Sequence, residues 1–334
     1  MPGPYRYTQP PSPQSATGTA AAVWEQTATD FGITHPPTLV VLSSAPELLA
    51  PAWALLREAL IAGSGSRTDR ELVAAGTSLA NRCPFCVDAH AVLLHANGDH
   101  ALGEAVARAA APGDERASRL LEWGRATRVP GSPDLAPPPF ARADLASHVG
   151  TALTFHFINR IVSALCTENL LPAGAQRLQA VRSLAGRSLS RVVRAPHRPG
   201  ASLDLLDSPG PGPAWAAGSS VGPAYDALRT AATKGAGLLG DDDLALVQET
   251  VAKWDGSHPA PGGPELPGRA ERPGARLALL AALAPYRITG EDVAAWRVAP
   301  YTDHCLVHLI AYGAFAAVDR IESALPVPEL LETP

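Results

Sequence analysis

Along most of the chain, apolar residues recur at three- and four-residue spacing, the period of an amphipathic helix and not of a strand. This pattern predicts helices over 47–62, 69–80, 115–128 and 144–165, all rich in Ala, Leu and Arg. Alternating runs of Val, Ile and Tyr are scarce, and the one tempting strand, 38–42, is short. An all-α fold is therefore expected. Pro- and Gly-rich stretches at 129–139, 195–213 and 257–274 break the helical pattern. Residues 1–20 read as a flexible tail, 21–195 as a first helical domain, 196–213 as a linker and 214–334 as a second helical domain.

The two halves resemble each other weakly. Arg160-Ile161 and Ser163-Ala164-Leu165 recur 160 residues later as Arg320-Ile321 and Ser323-Ala324-Leu325. His148 and Phe155 meet His308 and Phe315 at the same offset, as Arg116 and Leu120 meet Arg276 and Leu280. Earlier in each half the offset becomes 172, pairing Leu56-Arg57 with Leu228-Arg229 and Glu71 with Asp243. A duplication with a shorter central loop in the second half explains both offsets.

Composition narrows the class. Of the 334 residues, 46% are hydrophobic and 18% charged, enough for a packed core. A net charge of −5 argues against a general nucleic-acid binder. No apolar run approaches the ~20 residues of a membrane span, and residues 1–15 lack the apolar stretch of a secretory signal. A cytoplasmic protein is expected. Its four cysteines, Cys83, Cys86, Cys166 and Cys305, do not form a secreted disulfide framework. In a reducing compartment the close pair points to redox chemistry or metal binding.

The segment 70–95 carries the chemistry. Cys83, Cys86 and His90 fall within about a 60° arc of one helix face at ~100° per residue. Pro84 belongs in a first helical turn, so the helix is expected to start near 81–83, with Asn81 as its cap and the cysteines at the positive end of the dipole. That placement predicts a lowered cysteine pKa. Glu71, twelve residues before Cys83, belongs on the preceding helix, whose antiparallel return would bring it beside the thiols. The four residues make a proton-relay set: Glu71 holds or receives a proton, His90 passes it, and one cysteine becomes the nucleophile.

The spacing Glu71-x11-Cys83-x2-Cys86-x3-His90 resembles the motif of the carboxymuconolactone decarboxylase / alkylhydroperoxidase D (AhpD)-like family, matching every position. The resemblance is strongest over 45–100, extends through residue 165 and is faint beyond 214. It implies an AhpD-like helical bundle and thiol-dependent reduction of hydroperoxides, with Glu71, Cys83, Cys86 and His90 catalytic. Cys86 would attack the peroxide and become a sulfenic acid, and Cys83 would capture it as a disulfide. An external dithiol, by family analogy of the lipoyl type, would reduce that disulfide. No other cofactor, no resident metal, and neither nucleic-acid nor membrane partners are expected; a homo-oligomer is, by analogy. Some peroxidases of the family carry a histidine between the cysteines, where this chain has Phe85, so the relay has one member fewer. The cysteine pair itself argues against lactone decarboxylation.

The second half lacks the site. At the 172 offset Glu71, Cys83 and Cys86 become Asp243, Asp255 and His258, as expected of a degenerate copy kept for packing. Two other readings of the pair are a non-enzymatic redox sensor or interaction protein and a structural metal module. The second is short of a ligand, since structural zinc takes four and the motif supplies three. His156 reads as a core histidine with a backbone partner, and Cys166 and Cys305 as small buried hydrophobes.

Overall fold

A computed structural model describes residues 4–168, 175, 178–260 and 263–326. Among these residues there is no strand, only an isolated bridge between Tyr5 and Cys166, and the fold is all-α. The N-terminal half holds α1 (Gly18–Gln26), α2 (Pro37–Leu42), α3 (Pro46–Leu56), α4 (Arg67–Ala80), α5 (Pro84–Asn97), α6 (His100–Ala107), α7 (Glu115–Ala126), α8 (Leu145–Leu165) and α9 (Gln179–Val193). The C-terminal half holds α10 (Val221–Thr233), α11 (Asp241–Ala252), α12 (Pro273–Leu283), α13 (Gly290–Trp296) and α14 (Asp303–Glu322).

The tempting strand at 38–42 is α2. Pro37 stands at its start, where the fixed φ of proline favours a helical turn, and Leu39 through Leu42 are all buried. The helix expected over 47–62 is two pieces, α3 and a π-helical turn at Arg57–Ile61. That turn buries Glu58, whose carboxylate accepts bonds from Arg57 Nη1, Gly200 N, Ser202 Oγ and Ser220 Oγ at 2.6–2.7 Å. The stretch 196–213, expected as a linker, is thus anchored on a buried charge. The flexible tail expected over 1–20 is also docked from Pro4 onward. Arg6 N donates to Leu165 O, and Arg6 Nη2 and Tyr7 Oη both donate to Ile288 O.

One hydrophobic cluster runs from Val23 to Leu325 through both halves. It is centred on α8, which is buried along nearly its whole length and packs against α4, α14 and α12. Two buried arginines fasten the halves. Arg160 Nε donates to Ala282 O at 2.7 Å; Arg128 donates to Asn81 Oδ1, Gly256 O and Leu283 O. Both guanidinium groups lie over the Trp254 ring, 4.9 Å away for Arg128 and 5.7 Å for Arg160. An Arg128→Met change fills similar space but strands the buried acceptors Gly256 O and Leu283 O, each costing ~1–3 kcal/mol, and leaves Asn81 Oδ1 only its bond from Arg160. Urea unfolding should show the midpoint falling by an amount corresponding to about 3 kcal/mol at unchanged slope. A midpoint within error of the parent would show that these bonds do not hold the halves.

Candidate active site

The α4–α5 turn places both cysteines. Asn81 closes α4, Arg82 reverses the chain at φ 56°, and Cys83 is the N-cap of α5, with Pro84 in its first turn as the sequence predicts. Cys83 N donates to Ser78 O and Arg82 N to Leu79 O, so the turn closes α4 with the paired bonds of a Schellman motif. Glycine ordinarily fills the left-handed position; here Arg82 holds it, with its guanidinium 5.9 Å from the Tyr286 ring. No side chain caps α5. Asn81, expected as that cap, points into the core instead. Its Nδ2 donates to Asn159 Oδ1 at 2.9 Å and to His156 Nδ1 at 3.0 Å, and its Oδ1 accepts from Arg128 at 2.7 Å.

His156 is a core histidine, but its ring is held by side chains and not by a backbone partner. Nδ1 accepts from Asn81, and Nε2 lies 2.9 Å from Thr127 Oγ1, whose own proton goes to Gly124 O. Burial, with Arg160 and Arg128 nearby, holds its pKa well below that of an ordinary histidine. A neutral ring with its proton on Nε2 satisfies every contact.

Glu71 projects from α4 and is fully buried. Its Oε2 is 2.7 Å from His90 Nδ1, and its Oε1 accepts from Arg67 Nε, one turn earlier on α4, at 2.7 Å. Burial alone would raise the Glu71 pKa, but Arg67 and His90 outweigh it and hold the carboxyl below its usual value. A carboxylate only accepts, so His90 Nδ1 carries a proton, and whenever the ring is neutral its Nε2 is a bare acceptor. That Nε2 is buried with no partner, and the ring meets Phe155 edge-on at 4.3 Å.

Cys86 and His90 line the same apolar pocket, about 90 Å³, walled by Phe31, Ile33, Leu39, Leu60, Phe155 and Ile158. Both thiols are free and buried, Cys83 no less than Cys86. The two open differently. Cys83 borders a wider cleft of about 490 Å³ shared with Arg82, Arg108 and Arg182. The lowered thiol pKa expected from the helix dipole is overturned for Cys86. Burial and the neighbouring Cys83 push its pKa well above the ordinary value, against a lowering hydrogen bond from Asn159. Desolvation in an apolar wall outweighs the partial charge of the helix end.

Asn159 and Arg67 were not singled out from the sequence. Asn159 is an amide one turn from His156 on a mostly apolar helix, and Arg67 stands four residues before Glu71, so both left a signal. Cys166 is buried, as expected, and burial with nearby Cys83 pushes its pKa up to about 12. In the second half, Asp243 pairs with Arg272 and Asp255 Oδ1 accepts from Ser257 N. His258, at the position aligned with Cys86, bonds Ala80 O through Nε2 and Tyr286 Oη through Nδ1. It therefore braces the end of α4 from behind the site.

The helical fold and the motif carried on α4 and α5 fit one class, and comparison with known proteins identifies it. The chain belongs to the carboxymuconolactone decarboxylase family, whose model matches residues 47–126, from α3 to the end of α7. It is 37% identical over 329 residues to the alkyl hydroperoxide reductase Rv2159c of Mycobacterium tuberculosis, covering 94% of this chain and 93% of that protein. No solved structure matches it. Among the described residues, no helix is long and apolar enough to cross a membrane.

Proposed function

We propose that this protein is a thiol peroxidase that reduces organic hydroperoxides through Cys86 and Cys83. The observation that carries the reading is one apolar pocket lined by both Cys86 and His90, whose Nε2 is free because Glu71 holds the opposite nitrogen. His90 takes the Cys86 proton. The thiolate attacks the distal peroxide oxygen, the S–O bond forms as the O–O bond breaks, and the alcohol leaves with the proton from His90. The Cys83 thiol then attacks the sulfenic sulfur, an S–S bond forms and water leaves. An external dithiol reduces the disulfide by exchange from the cleft beside Cys83, where Arg82 and Arg108 favour an anionic carrier. The name of the mycobacterial relative supports the same activity.

The test is turnover of cumene hydroperoxide and of hydrogen peroxide with a dithiol. Ala89 lines the apolar pocket, and Ala89→Phe should raise KM for the bulky peroxide several-fold while leaving that for hydrogen peroxide nearly unchanged. Equal effects on both would remove the pocket from substrate binding. The raised Cys86 pKa sets the pH dependence: below it, the thiolate fraction rises tenfold per pH unit. Sulfenic-acid trapping should accelerate steadily from neutral pH upward, and His90→Gln should slow it most at neutral pH. A rate that is flat over that range would mean Cys86 is already ionised.

We also infer that the C-terminal half descends from a copy of the first. Supporting this, α3, α4, α7 and α8 are followed at the 172 and 160 offsets by α10, α11, α12 and α14, while a loop occupies the place of α5. The pairs α4–α7 and α11–α12 are both in contact, as are α3–α8 and α10–α14.

A further inference from the structure

Among the described residues, one group of three potential ligands brings an atom from each within 4.8 Å of the others: Glu47, His304 and His308. None belongs to the thiol site. His304 and His308 are four residues apart on α14, so their rings share one face and stand 4.7 Å apart. Glu47 comes from the first turn of α3 in the other half of the chain. Its Oε1 is 2.7 Å from both Nε2 atoms.

We propose that Glu47, His304 and His308 form a zinc site that ties α3 to α14, with water as the fourth ligand. Two imidazole nitrogens and a carboxylate suit zinc, whereas magnesium and calcium prefer all-oxygen sets. A histidine pair at i, i+4 presents both Nε2 atoms to one ion. Ligands at ~2.05 Å in a tetrahedron lie roughly 3.3 Å apart, so an opening of about half an ångström turns the hydrogen-bonded clamp into a coordination shell. The side chains of His304 and Glu47 are 48% and 37% exposed, which lets the ion enter and leaves room for the water. His308 is buried and its Nδ1 has no partner, so neither ring nitrogen is committed to the protein beyond the Glu47 contact. The ion would replace two hydrogen bonds to one oxygen with a bond to each of three side chains across the interface between the halves.

The experiment is zinc titration of the full-length chain carrying Cys83→Ser and Cys86→Ser. This removes thiolate binding at the pair and makes the result independent of the peroxidase reading. One equivalent should bind with micromolar or tighter affinity, and the melting temperature should rise with zinc. Cobalt in place of zinc should give a four-coordinate visible spectrum without a thiolate charge-transfer band. Glu47→Gln and His304→Ala, both at exposed positions, should each weaken binding about tenfold or more and abolish the thermal shift. Affinity should fall in acid, since a protonated imidazole cannot ligate. The absence of saturable binding below about 100 µM, or binding that neither variant weakens, would overturn the site and leave the cluster a hydrogen-bonded clamp.

Discussion

Replacing Cys86 with serine should reduce peroxide consumption to that of the remaining thiols, a fall on the order of 10³-fold, while Cys83→Ser should leave the first turnover intact. The asymmetry follows from what each sulfur borders. Cys86 shares its apolar pocket with His90, so a hydroperoxide with an organic tail meets the nucleophile and its base together. Cys83 opens on the other side, onto the arginine-bearing cleft. In the Cys83→Ser chain the sulfenic acid on Cys86 has no adjacent thiol, so it should persist and over-oxidise with excess peroxide. Intact-mass spectrometry separates the cases. A single added oxygen on Cys83→Ser, and a loss of two hydrogens on the parent, fit the assigned order. Fast oxidation of Cys86→Ser with an inert Cys83→Ser would reverse it, and two slow variants would end the peroxidase reading in favour of a sensor.

The sequence made part of this site legible because the chemistry is local. Helical spacing put Cys86 and His90 one turn apart, and Pro84 marked where α5 begins. It also required Glu71 to sit on a separate helix, where α4 carries it to within 2.7 Å of His90. What it could not reveal depends on contacts between distant segments. Asn81 reads locally as a cap, yet Asn159, His156 and Arg128 draw its side chain inward, from 78, 75 and 47 residues away. The dipole argument for the thiols took account of the helix end and not of the apolar wall that Phe155 and Leu60 build around Cys86. The Pro-rich start and the 196–213 stretch read as loose because proline and glycine lack helical periodicity. Their ordering comes from Ile288 O and from buried Glu58, which no local pattern announces. His258 likewise looked like a lost cysteine position, and only the fold shows it bonded to Ala80 O behind the site.

Replacing Glu71 should have two separable effects, and the choice of substitute decides which is seen. Glu71→Ala removes a buried carboxylate from between Arg67 and His90, leaving a mostly buried guanidinium without its partner. Breaking such a pair costs ~3–5 kcal/mol, so a much lower unfolding midpoint is expected. Glu71→Gln keeps the volume and an acceptor oxygen, so most of the stability should remain, but the charge that favours a protonated His90 is gone. Taking the Cys86 proton then becomes harder, and sulfenic-acid formation should slow by about 10²-fold. The carboxylate also leaves a mark on stability against pH. Its folded pKa lies below the ordinary 4.5, so the unfolded chain binds the proton more readily. The stability it contributes is complete above about pH 4.5 and is lost as the pH falls through the folded value. Urea midpoints from pH 7 to pH 3 should therefore decline at the acid end in the parent and decline less in Glu71→Gln. If the two curves stay parallel, Glu71 is not the ionised partner of His90, and the His90 Nε2 loses its assignment as the base.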